Sequence, residues 1–238
     1  MEPTCLAGGS MNINVARLPM PAILFGLAAL VALGSGLGSA RAAAPSQEDG
    51  FVDLLQRHAN GTYHKGGWNH YGPGHFELDV DSGELASHGG MGLFWHTTEF
   101  SDFELRLEFK TSLEESNSGV FVRVPGMPSS DEYIYHSFEI QIHDASTNGV
   151  HQTGAVYDAE PSTSIESKPT GQWNDYRIRF VGDQITVWLN GEQVVDWMAE
   201  PRGKVTDFAD RGYIGLQNHD HDSSVYFRNI RVKDLSDS

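Results

Sequence analysis

The chain has 238 residues, a formal net charge of −16 and a pI near 4.9. That balance argues against nucleic acid and anionic membrane surfaces as partners, and it suits a small neutral substrate such as a sugar, or a salty medium. Twenty-six glycines and 11% aromatic residues fit a turn-rich, all-β chain, and the length allows one domain of ordinary size with an extra segment.

The first elements are targeting signals. Arg17 precedes an apolar run from Met20 to Leu33, small residues follow from Gly34, and Ala40-Arg41-Ala42 forms a small-x-small cleavage site. The run is short for a membrane span. Residues 1–42 therefore read as a cleaved export signal, 43–50 as a polar linker and 51–235 as the globular domain of a secreted or periplasmic protein. Met11 is an alternative start. The single cysteine, Cys5, falls in the discarded part, so the mature chain has no disulfide, thiol nucleophile or Cys-ligated metal.

Strand patterns then follow one another without internal repeats or a convincing helix. The expected strands are Phe76–Val80, Glu84–Ser87, Gly92–His96, Phe103–Thr111, Gly119–Val124, Phe138–His143, Ala155–Tyr157, Asp175–Val181, Gln184–Leu189, Gln193–Trp197, Gly212–Gln217 and Ser224–Val232. Asn190-Gly191 between two apolar-alternating runs is a strong hairpin signal. The apolar phase slips between Phe227 and Ile230, which predicts a bulge there. About a dozen strands with short turns read as a two-sheet antiparallel sandwich.

Three strands carry candidate chemistry. In Phe138–His143, the residues Phe138, Ile140 and Ile142 suit a core, while Glu139, Gln141 and His143 form a row on the other face. That row lacks the mixed charges of an ordinary solvated strand such as Phe103–Thr111, and it resembles the floor of a polar cleft. Along Asn117–Val124, the alternation puts Phe121 and Arg123 on the non-core face. There a ring can stack on sugar C–H groups and a guanidinium can fork onto oxygens. Along Gly212–His219, Gln217 and His219 fall on the polar face. Lys168, in the loop before Trp173, reads equally as a cleft residue or a solvated one. Trp68, Trp95 and Trp188 read as packing residues.

Asn218-His219-Asp220-His221-Asp222 concentrates metal-capable groups, although the spacing is a weak signal that also suits a solvated polar turn. The sequence names no cofactor, with a divalent metal ion as one candidate, and it fixes no oligomeric state.

Taken in order, these segments resemble the 3-keto-disaccharide hydrolase domain family. The resemblance rests on blocks spread over the globular part, among them Phe51-Val52-Asp53-Leu54-Leu55, Asn117-Ser118-Gly119-Val120-Phe121-Val122-Arg123, Phe138-Glu139-Ile140-Gln141-Ile142, Thr153-Gly154-Ala155-Val156-Tyr157, Lys168-Pro169-Thr170-Gly171 and Gly215-Leu216-Gln217-Asn218-His219. It implies a concanavalin-like jelly roll and a carbohydrate substrate of the 3-keto-glucoside class. Laminarinase-like enzymes of the same fold carry three acids on the corresponding strand. Here the positions read Glu139, Gln141 and His143, and a lone carboxylate does not suit direct double displacement.

A C3 ketone removes that need, because it acidifies the C2 proton and allows elimination at C1 followed by hydration. Such a site needs a base, an oxyanion stabiliser and an acid. Glu139 or His143 is the expected base. Arg123, Lys168 or a divalent ion is expected to polarise the C3 oxygen, and His219 to protonate the leaving group. Asn117, Phe121, Gln141 and Gln217 complete the expected binding set. A non-catalytic, lectin-like carbohydrate-binding module is the alternative use of the same cleft.

Overall fold

Alternating apolar and polar residues fold into strands joined by turns and longer loops across residues 50–236, the part of the chain that the computed structural model describes. The expected export signal and all but the last residue of the expected linker lie outside the described residues. In chain order the strands are β1 (Val52–Asp53), β2 (Gln56–Arg57), β3 (Tyr63–His64), β4 (Trp68–Tyr71), β5 (His75–Leu78), β6 (Leu85–His88), β7 (Gly92–Phe100) and β8 (Phe103–Thr111). They continue as β9 (Ser118–Val124), β10 (Phe138–Ile142), β11 (Asn174–Val181), β12 (Gln184–Leu189), β13 (Glu192–Met198), β14 (Gly212–Asn218) and β15 (Val225–Asp234). Two short 3₁₀ turns, Asp131–Tyr135 and Gly149–His151, were not foreseen from periodicity.

Two antiparallel sheets form the sandwich. The larger runs β13-β12-β11-β8-β15-β6-β5, and β1 joins β15 to make eight strands; the smaller runs β10-β9-β14-β7-β4. Their facing sides share one core, in which Leu105, Phe109 and Ile178 of the larger sheet meet Val120, Ile140 and Leu216 of the smaller. The expected jelly-roll sandwich is what forms. The Asn190-Gly191 turn has φ of 53° and 93°, the positive values that join β12 to β13 without splaying them. The expected bulge in β15 is also present. Its pairing with β8 shifts between Arg228 and Arg231, and Asn229 sits at φ 52°. On the side of β15 away from β8, β6 pairs before this bulge and β1 pairs after it.

Two details depart from the sequence expectation. Ala155–Tyr157 forms no strand, only a bridge at Val156, yet its backbone lies along the free edge of β10. β1 to β4 are extra, four strands of two to four residues, too short to show a period.

Candidate active site

In the smaller sheet, β9 and β10 are buried on both faces: every residue of the two strands is covered. One face meets the main core. On the other, Leu93, Trp95, Phe121, Val124 and Tyr133 make a second apolar cluster, capped by the 3₁₀ turn Asp131–Tyr135. Beside this cluster the same face opens into a polar cavity of about 90 Å³. Glu139 and Gln141 from β10, Asn117 from the approach to β9, and Gln217 and His219 from the end of β14 line it. Lys204, Tyr157, Ile134 and Met91 complete the wall.

The floor is built by register. Glu139 stands opposite Phe121, and Gln141 opposite Gly119. A Cβ on Gly119 would lie 2.2 Å from Glu139 Oε1, so only glycine leaves room for that carboxyl to lie across the sheet. Gln141 is fixed from both sides. Its carbonyl accepts a 2.6 Å bond from Tyr176 Oη across the core, and its amide nitrogen donates to Glu139 Oε1 (3.2 Å) and the Ser118 carbonyl (2.9 Å). The opposite amide orientation would set its oxygen against acceptors. Ser118 Oγ in turn donates to the Gln217 carbonyl at 2.7 Å and ties β9 to β14.

Burial pushes the Glu139 carboxyl up to about 8, and the Lys204 charge offsets only part of that effect. Glu139 is therefore a carboxylic acid at neutral pH. Across the cavity, His219 Nδ1 lies 2.7 Å from Asp220 Oδ1, and its Nε2 lies 3.5 Å from Asn117 Nδ2. Burial opposes ionisation of Asp220. Hydrogen bonds from Ser223, His219 and the Asn117 backbone amide outweigh it and hold the carboxyl below the ordinary aspartate range. An ionised Asp220 takes the proton of Nδ1, which leaves Nε2 as the acceptor facing the amide of Asn117.

Several expected residues lie elsewhere. Arg123 is 1% exposed but outside this cavity. Val122 and Arg123 of β9 stand against the single residue Ile214 of β14, a bulge marked by φ 54° at Arg123. The extra residue reverses the alternation. The guanidinium packs on the Phe180 ring and donates to the Ser101 and Gly182 carbonyls, while Val124 joins the outer cluster. Phe121 does face away from the main core as expected, but the Tyr133 ring covers it edge-on at 5.1 Å and no sugar can stack there. Lys168 Nζ is held by the Trp173 carbonyl at 2.9 Å, outside the cavity. His143, at the end of β10, does not line it either; burial lowers its pKa, against the opposing charge of Asp220.

Lys204, Tyr157, Ile134 and Met91 are the wall residues that sequence reading missed, and the first two carry polar groups. Lys204 lies in a loop with no periodic signal. Tyr157 sits in the Thr153–Tyr157 block, and its position follows from edge pairing: its amide donates to the Glu139 carbonyl at 2.8 Å. Among the described residues, no three histidine, aspartate, glutamate or cysteine side chains converge as a metal set, and Asp220 is engaged by protein donors.

The 3-keto-alpha-glucoside-1,2-lyase-like domain matches residues 51–233, nearly the whole described part. The chain belongs to this family. A 3-keto-disaccharide hydrolase of Bacteroides thetaiotaomicron is 26% identical over 241 residues, covering 80% of each chain. A crystal structure of a candidate glycosyl hydrolase from Parabacteroides distasonis, 26% identical, superposes with a TM-score of 0.65 over 78% of this chain and 99% of its own. A protein of galectin-like fold from Bacillus subtilis, 12% identical with a TM-score of 0.53 over 70% of this chain and 88% of its own, shares the fold. Within the family domain, the cavity over β9, β10 and β14 gathers acid, imidazole and ammonium groups in one place.

Proposed function

We propose that this protein cleaves 3-keto-glycosides, by elimination across C1 and C2 followed by addition of water. Family membership and the name of the Bacteroides relative support the substrate class. The observation that carries the chemistry is the pairing, across one cavity, of a buried carboxylic acid, Glu139, with the Asp220-oriented imidazole of His219. A single acid on this strand does not suit direct displacement of a glycoside, which uses two carboxyl groups. It does suit elimination, which uses one base and one acid.

The protonation states assign the roles, and they reverse the simplest expectation from sequence. His219 Nε2, the unprotonated ring nitrogen, turns its lone pair from the Asn117 amide to the bound 3-keto sugar and removes the C2 proton. The C–H pair moves into C2–C3 and the ketone becomes an enolate, whose charge the Lys204 ammonium stabilises. The enolate then reforms the C3 carbonyl, a double bond forms between C1 and C2, and the C1–O bond breaks. Glu139 gives its proton to the departing oxygen. Hydration runs the same steps backwards with water in place of the alcohol. Glu139 carboxylate takes a water proton as the oxygen adds to C1, and His219 returns a proton to C2. Both groups end as they began.

Incubation with 3-keto-trehalose or 3-keto-lactose tests the proposal, with release of monosaccharide as the expected result. Binding without release overturns the enzymatic reading and leaves a carbohydrate-binding module.

A further inference from the structure

Tyr157 occupies an unusual position for a wall residue. Its ring is packed on one side by the His151 imidazole, with centroids 4.6 Å apart and planes within 24°. The Lys204 ammonium lies 4.5 Å from the same ring's centroid. His151 is itself held by Asp158, Nε2 to Oδ1 at 3.3 Å. The backbone of Tyr157 is tied to that of Glu139, so both residues line the cavity from neighbouring segments, β10 and the stretch along its free edge. Ring and backbone are both pinned, and the hydroxyl is therefore delivered to a fixed place.

The hydroxyl is also polarised. Lys204 Nζ donates to Tyr157 Oη at 3.2 Å. That bond uses a lone pair of the phenol oxygen and leaves its hydrogen to be donated. Among the described residues no protein acceptor takes that hydrogen. A donor presented to a cavity without a partner, and strengthened by a cation behind it, is what a developing oxyanion requires.

We propose that Tyr157 is a catalytic hydrogen-bond donor to the C3 oxygen, acting with Lys204 as a two-point oxyanion site. This rests on the 3-keto-glycoside reading above. No proton is transferred in the step. As His219 takes the C2 proton and charge moves onto the C3 oxygen, the Tyr157 O–H shortens its bond to that oxygen, and the bond relaxes when the carbonyl reforms. His151 acts through Tyr157 as a positioning residue.

Tyr157→Phe isolates the claim, because phenylalanine keeps the ring on His151 and under Lys204 and removes only the hydroxyl. On a 3-keto-disaccharide the variant is expected to lose roughly 10²-fold to 10³-fold in kcat, in the range seen on removal of one oxyanion donor, with KM changed by less than about threefold. His151→Ala should lower kcat in the wild-type background and have little further effect in Tyr157→Phe. A wild-type kcat in Tyr157→Phe, or a loss confined to KM, overturns the assignment while leaving the substrate class intact. If the wild-type protein turns over no 3-keto-glycoside, the substrate reading fails and this inference falls with it.

Discussion

Glu139 and His219 both appear in the sequence as polar residues on strand faces beside Gln141 and Asp220, but their protonation is set by burial and hydrogen bonding that only the fold supplies. Gln141 gives Glu139 one hydrogen bond, while burial holds the carboxyl near 8; Asp220 fixes the tautomer of His219. If Glu139 is the acid, the cost of losing it depends on the leaving group. Glu139→Gln should lose about 10²-fold to 10⁴-fold on a 3-keto-disaccharide, and far less on a 3-keto-glucoside carrying nitrophenol, which departs without a proton. Equal losses on both substrates would make Glu139 something other than the acid. The rate on the disaccharide should fall as pH rises through about 8, where Glu139 ionises.

The same carboxyl links stability to pH. The folded state holds the Glu139 proton up to about 8, against 4.5 for an ordinary glutamate. This contribution is complete below 4.5 and is lost as pH rises through about 8. Chemical denaturation of wild type and Glu139→Gln across that window measures it. The difference in stability should shift in favour of the variant by a few kcal/mol as pH rises. A pH-independent difference would place the carboxyl in an environment unlike this one.

At the scale of the element, β9 shows why alternation is a good guide up to the first irregularity and a poor one after it. From Ser118 to Val122 the inward and outward residues follow the period of two. At Arg123 one extra residue turns an expected sugar ligand into a buried strut over Phe180. The β15 slip was readable because hydrophobic residues on both sides of it change phase. The β9 slip has only Val124 beyond it, too little to show a change of phase. The second apolar cluster hides in the same way: Phe121 and Trp95 face away from the main core, and only the turn at Asp131–Tyr135 reveals that they are covered. Gly119 makes its own prediction here. Gly119→Ala places a methyl against Glu139 Oε1, so the protein should remain folded but lose at least about tenfold in kcat as the carboxyl is displaced. Wild-type kcat in that variant would separate the position of Glu139 from catalysis.

For the whole molecule, two-residue periodicity and turn chemistry were enough to specify a two-sheet antiparallel sandwich, and the family resemblance added the jelly roll. Long strands such as β8 and β12 are legible end to end because each buries one full face in the shared core. The polar floor was legible for the same reason, since Asn117, Glu139, Gln141, Gln217 and His219 lie on or just beyond strands whose apolar faces are unambiguous. Lys204 and Tyr157 were not, because they reach the cavity from irregular segments whose course is set by tertiary contacts rather than by a local period.

The most direct test of elimination through C2 is isotopic. A 3-keto-disaccharide carrying deuterium at C2 of its keto sugar is cleaved in ordinary water, and the keto-sugar product is analysed at once by mass, with labelled product incubated alone to correct for spontaneous exchange. Removal of the C2 deuteron by His219 predicts a product that has lost the label in step with turnover. A product that keeps its deuterium through complete cleavage, from a substrate cleaved no more slowly than its unlabelled form, would mean that the glycosidic bond breaks without proton abstraction at C2.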